Sequence, residues 1–392
     1  MTCSPKLGFK LGLLPKIIIA IILGIVCSTF FPMFLNRFFV TISGIFGNFL
    51  SFSIPLIILG LVAPGIAELG KGAGKLLGIT ALIAYASTLI SGFFSYFTCR
   101  WSYPMVLTKS ESFSNVEALA AKTIQPFMSI DMPPVMTVTT ALILAFVLGL
   151  GLTAVKGDYF KNTLIEFRDL VTSLISKAII PFLPLYIFCI FLKIGAEGQV
   201  GAVLQVFIKV IVIIFIMHIL LLLFQFCVAG AIAKKNPIKA LITMLPAYMT
   251  ALGTQSSAAT IPVTLAQAKK NGVNEDIAGF TVPLCATVHL AGSILKIVAC
   301  AYAIMWKMGM NAGVDVYAGF IFMLGITMVA APGVPGGAIM AALGLLASML
   351  GFDETLQGLM IALYITMDSF GTACNVTGDG AIALIIDKIY KK

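Results

Sequence analysis

Charge is what this sequence has least of: 10% of its 392 residues are Asp, Glu, Lys or Arg, against about a quarter in a soluble globular domain. That shortage excludes a soluble enzyme. The formal charge is +9, yet the lysines stand at the ends of apolar segments and form no patch, which argues against a nucleic-acid partner. HExxH, GxSxG and any paired nucleophile and base are missing, so no enzymatic chemistry is read from the chain. Eight cysteines are present, but without a CxxC or a metal spacing, and most lie inside apolar runs. They read as small buried hydrophobes. No small-residue cleavage site follows Lys6, Lys10 and Lys16, so the first apolar run is a retained helix and the N-terminus is expected on the cytoplasmic side.

What is present is apolar length. Hydrophobic residues make up 60% of the chain and the mean hydropathy is +1.07, with runs such as 17–26, 141–155 and 211–224. Lipid is the solvent for such segments, and the chain is a polytopic membrane protein. Spans of about 20 residues are expected over 15–35, 40–66, 76–98, 133–155, 170–195 and 200–233. Six crossings bring the chain back to the side on which it began. Lys71 and Lys75, Lys156 and Lys161, and Lys234, Lys235 and Lys239 then all fall inside, as the positive-inside rule requires. The stretch from Arg100 to Lys122 is the long polar loop of the outer side.

The second half is built differently. Lys239 and Lys269–Lys270 both mark the inner side, and residues 240–268 between them are too few for two full crossings. Their centre, Thr250 to Pro262, is rich in small polar residues. A hairpin that enters and returns fits, and its tip must be buried in protein or line a watery cavity. A helix is expected over 275–305, then a second unit over 316–349 whose centre, Ala330 to Ala338, holds two prolines and three glycines in nine residues. Two broken segments, each followed by a long helix, are the pattern of an inverted-repeat transporter with its site at the broken tips.

The last helix, expected over 355–388, carries Asp368, Thr372, Asn375 and Asp379 at i, i+4, i+7 and i+11, on one face. An ionised group at that depth costs at least ~2.5 kcal/mol without a partner. A purely structural pairing of both aspartates with lysines is disfavoured, because Lys296 is the only basic residue at depth in this half. Carboxylate, amide and carbonyl oxygens suit Na⁺, and the half-helix N-termini at the tips, with Ser256 and Ser257, offer N–H donors to a substrate carboxylate.

Four motifs carry a resemblance: Ser256 to Thr264, Pro283 to Thr287, Gly333 to Ala338, and Asn375-Val-Thr-Gly-Asp379. Together, in this order and spacing, they resemble the dicarboxylate/amino acid:cation symporter family, with its glutamate-transporter-like fold. The likeness is by motif over about 237–390 and by helix layout before that. It implies an all-α polytopic protein of eight transmembrane helices plus two re-entrant helical hairpins, working as an elevator in a homotrimer. Residues 1–235 would be mostly the scaffold and trimerisation helices, with helices 3 and 6 packing on the transport domain. Residues 236–392 would be the transport core, made of hairpin 1 (237–270), helix 7 (275–305), hairpin 2 (316–349, the extracellular gate) and helix 8 (355–388).

The resemblance also assigns roles. Asp368 would take the substrate amino group, and Thr372 and Asn375 its α-carboxylate beside Ser256, Ser257, Val334, Pro335 and Gly336 of the tips. Asp379, with the Asn375 carbonyl, would hold the cation. Thr287 and the backbone before Pro335 would form a second Na⁺ site. Members that carry acidic substrates read the side-chain carboxylate with an arginine; here that position is Gly371, its alternative is Gln255, and no arginine falls in the site region. A small neutral amino acid is expected instead. The Asp of the family's Asn-Met-Asp-Gly-Thr is Ala291 in His289-Leu-Ala-Gly-Ser293, so fewer Na⁺ ions are expected. His289 beside the cation site leaves H⁺ as an alternative coupling ion, whereas His218 is read as structural. The expected protein is an integral membrane symporter of a bacterial inner membrane with both termini cytoplasmic. A symporter for a dicarboxylate or other small carboxylate is the nearer alternative, and a passive ion channel the more distant one.

Overall fold

The computed structural model describes residues 12–70, 75–107, 124–155, 157–198, 200–310, 312–329, 331 and 335–390. Among them all regular structure is helical. The first half comprises α1 (Leu13–Ser28), α2 (Met33–Gly70), α3 (Lys75–Val106), α4 (Val138–Ala154), α5 (Tyr159–Leu174), α6 (Ile180–Ala196) and α7 (Val200–Ala233). A π-helical stretch, Ile175–Ile179, joins α5 and α6 into one rod.

Several boundaries differ from the hydropathy reading. The apolar run over 15–35 is cut after Ser28, because Pro32 has no N–H to continue the ladder, and α2 starts directly after it, at Met33. The span expected over 170–195 begins at Tyr159, where an amphipathic segment extends the apolar helix. Arg100 lies within α3 and not in the outer loop. Residues 108–122 of that loop, with Lys6, Lys10, Lys71 and Lys156, lie outside the described residues.

In the second half, α8 (Pro237–Thr243) and α9 (Leu245–Thr254) run to a tip from which α10 (Ser257–Lys270) folds back, followed by α11 (Glu275–Val288) and α12 (Ala291–Lys307). The order then repeats with α13 (Val314–Val329), α14 (Gly337–Leu350), α15 (Glu354–Thr366) and α16 (Asp368–Tyr390). Six helical stretches among the described residues are long and apolar enough to cross a membrane, four of them in the first half; α1, with 16 residues, and α4, with 17, are shorter.

Burial separates the two halves. The most apolar stretch of α7 is 44% buried and exposes Ile208, Val212, Ile216 and Ile219 as one stripe, whereas that of α16 is 94% buried despite its polar residues. α16 sits at the centre, packed against α7, α9, α10, α11 and α12, and α12 also packs along α3.

Both uninterrupted helices expected here, 275–305 and 355–388, are broken. α11 ends at Val288, and His289 is extended (φ −103°, ψ 97°) although neither Pro nor Gly stands at the break. A side chain from another helix supports the break: Asn375 Oδ1 accepts from Gly292 N (2.7 Å) and shares the Ser293 N–H (3.3 Å) with the Leu290 carbonyl, where the N-cap Leu290 offers no side-chain acceptor. The second break falls at Met367 (φ −113°), between α15 and α16. There the Met367 carbonyl accepts from Lys296 Nζ (3.3 Å) of α12. Each broken helix supports the break of the other.

Candidate functional site

The two tips face the N-terminal end of α16. Gln255, in the left-handed region at φ 54°, ends α9, and Ser256 Oγ accepts from Ala259 N (3.3 Å) to cap α10. The Ser256 hydroxyl is thus engaged with its own helix, and Ser257 is the buried one that faces the cavity. At the other tip Gly336 has φ 76°, a conformation open to glycine and strained for other residues. Pro335 precedes it, and Val334 lies outside the described residues. Between the tips lies a cavity lined by Gln255, Ser257, Thr287, Leu290, Ser293, Tyr364, Asp368, Thr372 and Asn375, together with Gly337 and Ala338. It joins both hairpins to both broken helices.

Asp368 has both oxygens engaged. Oδ2 accepts from Gly336 N (2.8 Å), which fastens the second tip to α16, and Oδ1 lies 3.2 Å from Lys296 Nζ. The lysine is 0% exposed, and its ammonium also sits 3.8 Å from the centre of the Tyr364 ring. Carboxylate, carbonyl and aromatic face make a complete cage for an ammonium. Gly371 leaves the space: a Cβ there would overlap the end of the lysine side chain.

The pairing of both aspartates with lysines, disfavoured by the sequence, is thus found for Asp368 alone; Asp379 meets His289 instead. The sequence shows Lys296 as a basic residue within an apolar run, but only the packing of α12 on α16 brings it to Asp368.

Asp379 forms a second centre three turns away. Its Oδ1 lies 2.9 Å from His289 Nδ1, and its Oδ2 is buried with no hydrogen-bond partner among the described residues. His289 Nε2 lies 3.1 Å from Ser87 Oγ on α3, which in turn accepts from Gln225 Nε2 on α7 (3.0 Å). With Nδ1–H donating to Asp379, Nε2 accepts from the Ser87 hydroxyl, and every donor in the chain points toward the carboxylate. The free, buried carboxylate oxygen fits a cation ligand, since an ionised oxygen at that depth needs a positive partner.

Asn375 and Thr372 lie where the cavity and α12 meet. Besides capping α12, Asn375 donates through Nδ2 to Ser293 Oγ (3.1 Å), which also accepts from Tyr364 O–H (3.2 Å). Thr372 Oγ1 donates to the Asp368 carbonyl (3.0 Å). Thr287 lines the cavity and donates to the Leu284 carbonyl (2.8 Å). His218 Nε2 is 3.2 Å from the Gly292 carbonyl, again at the start of α12. Lys296 as a partner of Asp368, Tyr364, Ser87 and Gln225 are the residues the sequence reading missed. A polar side chain inside an apolar run was the signal for each.

The description of the sodium:dicarboxylate symporter family matches residues 13–389, nearly the whole chain. The chain belongs to that family. Among the curated relatives of this symporter, the serine/threonine transporter SstT of Acinetobacter baumannii (strain AYE) is 28% identical over 391 residues, covering 96% of this chain and 97% of the relative. The serine/threonine transporter SstT of Acinetobacter baylyi is 27% identical over 398 residues, covering 97% and 98%. The family places the symporter among transporters, and its apolar helices suit an integral membrane protein.

Proposed function

We infer that the chain is a secondary active symporter that couples a Na⁺ gradient to the uptake of a small neutral amino acid, serine or a close analogue. One observation carries this reading: two broken-helix tips, Asp368, Thr372 and Asn375 converge on one cavity, with the half-partnered Asp379 behind it. In it the substrate ammonium goes to Asp368, and the substrate carboxylate goes to the Ser256–Ser257 and Gly336–Gly337 ends of the hairpins, beside Thr372 and Asn375. Na⁺ is cargo, held by Asp379 with Asn375; Thr287 and the backbone before Pro335 form a second position. His289 makes H⁺ an alternative coupling ion. The serine/threonine transporters among the relatives support the substrate class, as does the absence of arginine from the cavity.

In the same reading the eight transmembrane helices and two hairpins divide into a scaffold, 1–235, and a transport core, 236–392, which moves as an elevator within a homotrimer. The membrane is a bacterial inner membrane, with both termini on the cytoplasmic side. Uptake of labelled serine into proteoliposomes, with Na⁺ and H⁺ gradients imposed separately, tests the reading. Accumulation under a Na⁺ gradient is expected, and indifference to both gradients would refute coupling.

A second reading has its own observation. Asp368 already holds an ammonium, that of Lys296, which favours a carboxylate without an amine as substrate. Glycerate, which lacks the amine, would then compete for uptake at least as well as serine.

A further inference from the structure

We propose that Lys296 is a substrate-binding residue: the amino acid inserts into the Lys296–Asp368 ion pair, giving its ammonium to Asp368 and its carboxylate to Lys296. The proposal rests on the preceding reading of Asp368 as the ammonium site. It begins from charge balance. Lys296 is 0% exposed, and the Asp368 side chain 7%, so neither can lose its partner without a replacement. A substrate ammonium that took Asp368 alone would strand the lysine in the protein interior. A zwitterion solves this because it brings both charges, and the four groups then alternate in sign with none unpaired.

The surroundings permit the exchange. Lys296 follows Ser293 by three residues on α12, and Ser293, Tyr364 and Asp368 all line the cavity. The ammonium therefore lies directly behind the cavity lining, between Tyr364 and Asp368. Gly371, with no Cβ, lets the end of the lysine side chain lie against α16 beside Asp368. Gly336 N–H is bonded to the other oxygen of Asp368, so opening of the second tip and release of the carboxylate are linked. The same balance disfavours an acidic amino acid, whose second carboxylate would have no cation left to meet it.

The test uses the full chain in detergent or proteoliposomes with three probes: L-serine, serinamide, which lacks the carboxylate, and glycerate, which lacks the amine. Measurements are made at a pH where both amines are protonated. In Lys296→Met, serine affinity is expected to fall about 10- to 100-fold, the loss of one charge-assisted contact, while serinamide, whose ammonium meets an Asp368 left without its lysine, binds at least as tightly as before. The serine-to-serinamide ratio therefore collapses. Equal weakening of both probes, with the ratio unchanged, would make Lys296 a structural prop and overturn the proposal. If Lys296→Met does not fold, the wild-type chain decides: a serine-to-serinamide ratio below about three, too small for a lost charge-assisted contact, overturns it. Glycerate binding as tightly as serine would instead refute the ammonium role of Asp368, a failure of the underlying reading that these probes separate from a failure of Lys296.

Discussion

Asp368 and Asp379 lie on one face of one helix, both are buried, and the structure treats them in opposite ways. Asp368 has each oxygen occupied, one by the Lys296 ammonium and one by the Gly336 N–H of the second hairpin tip. Asp379 has one oxygen bonded to His289 and the other without a partner among the described residues. A carboxylate saturated by groups that can leave is suited to exchange partners with an incoming molecule. One saturated on a single side is suited to add a cation. Two chemically identical side chains thus become different sites through what α12, α14 and the His289 break bring to them.

Four predictions can break or sharpen that contrast. The largest effect is expected from Asp379→Asn, which removes the buried charge a cation would meet. Uptake should fall by more than about 100-fold, and the remainder should no longer respond to a Na⁺ gradient in proteoliposomes; retained Na⁺ dependence would move the cation elsewhere. Next, Asp368→Asn should weaken substrate binding by about 10- to 100-fold while Na⁺ still stabilises the protein in a thermal-shift assay. Loss of both responses would mean that the two centres are one site.

A smaller effect is expected from Gly371→Ala, whose methyl overlaps Lys296. It should lower the unfolding free energy in detergent by about 1–3 kcal/mol. If stability is unchanged, the lysine has other places to go and the cage around it is loose. The smallest is Ser256→Ala, which removes the cap of α10 at a cost of about 1 kcal/mol and should speed hydrogen exchange at Ala259, whose amide it holds. No change there would show that the hydroxyl is not committed to its helix and is available to substrate.

The breaks at the two tips are legible because Gly, Pro and small polar residues write them into the sequence. The stripe Asp368, Thr372, Asn375 and Asp379 is legible because helical spacing alone places it on one face. The breaks at His289–Leu290 and Met367 are not, for no local breaker stands there. Asn375 reaches across to the first turn of α12, and Lys296 reaches back to the Met367 carbonyl. Ser87 and Gln225 stand out as polar side chains in apolar runs, but nothing in their own helices says that α3 and α7 meet at His289.

By itself, the sequence determined that this protein lives in lipid, that its second half contains two interrupted hydrophobic units, and that few charges lie at depth in it. These follow from hydropathy, chain length and helical period, all of them local quantities. Only the tertiary structure decided which charge faces which. A lysine and an aspartate 72 residues apart become an ion pair through helix packing, and a buried charge takes its meaning from the group opposite it.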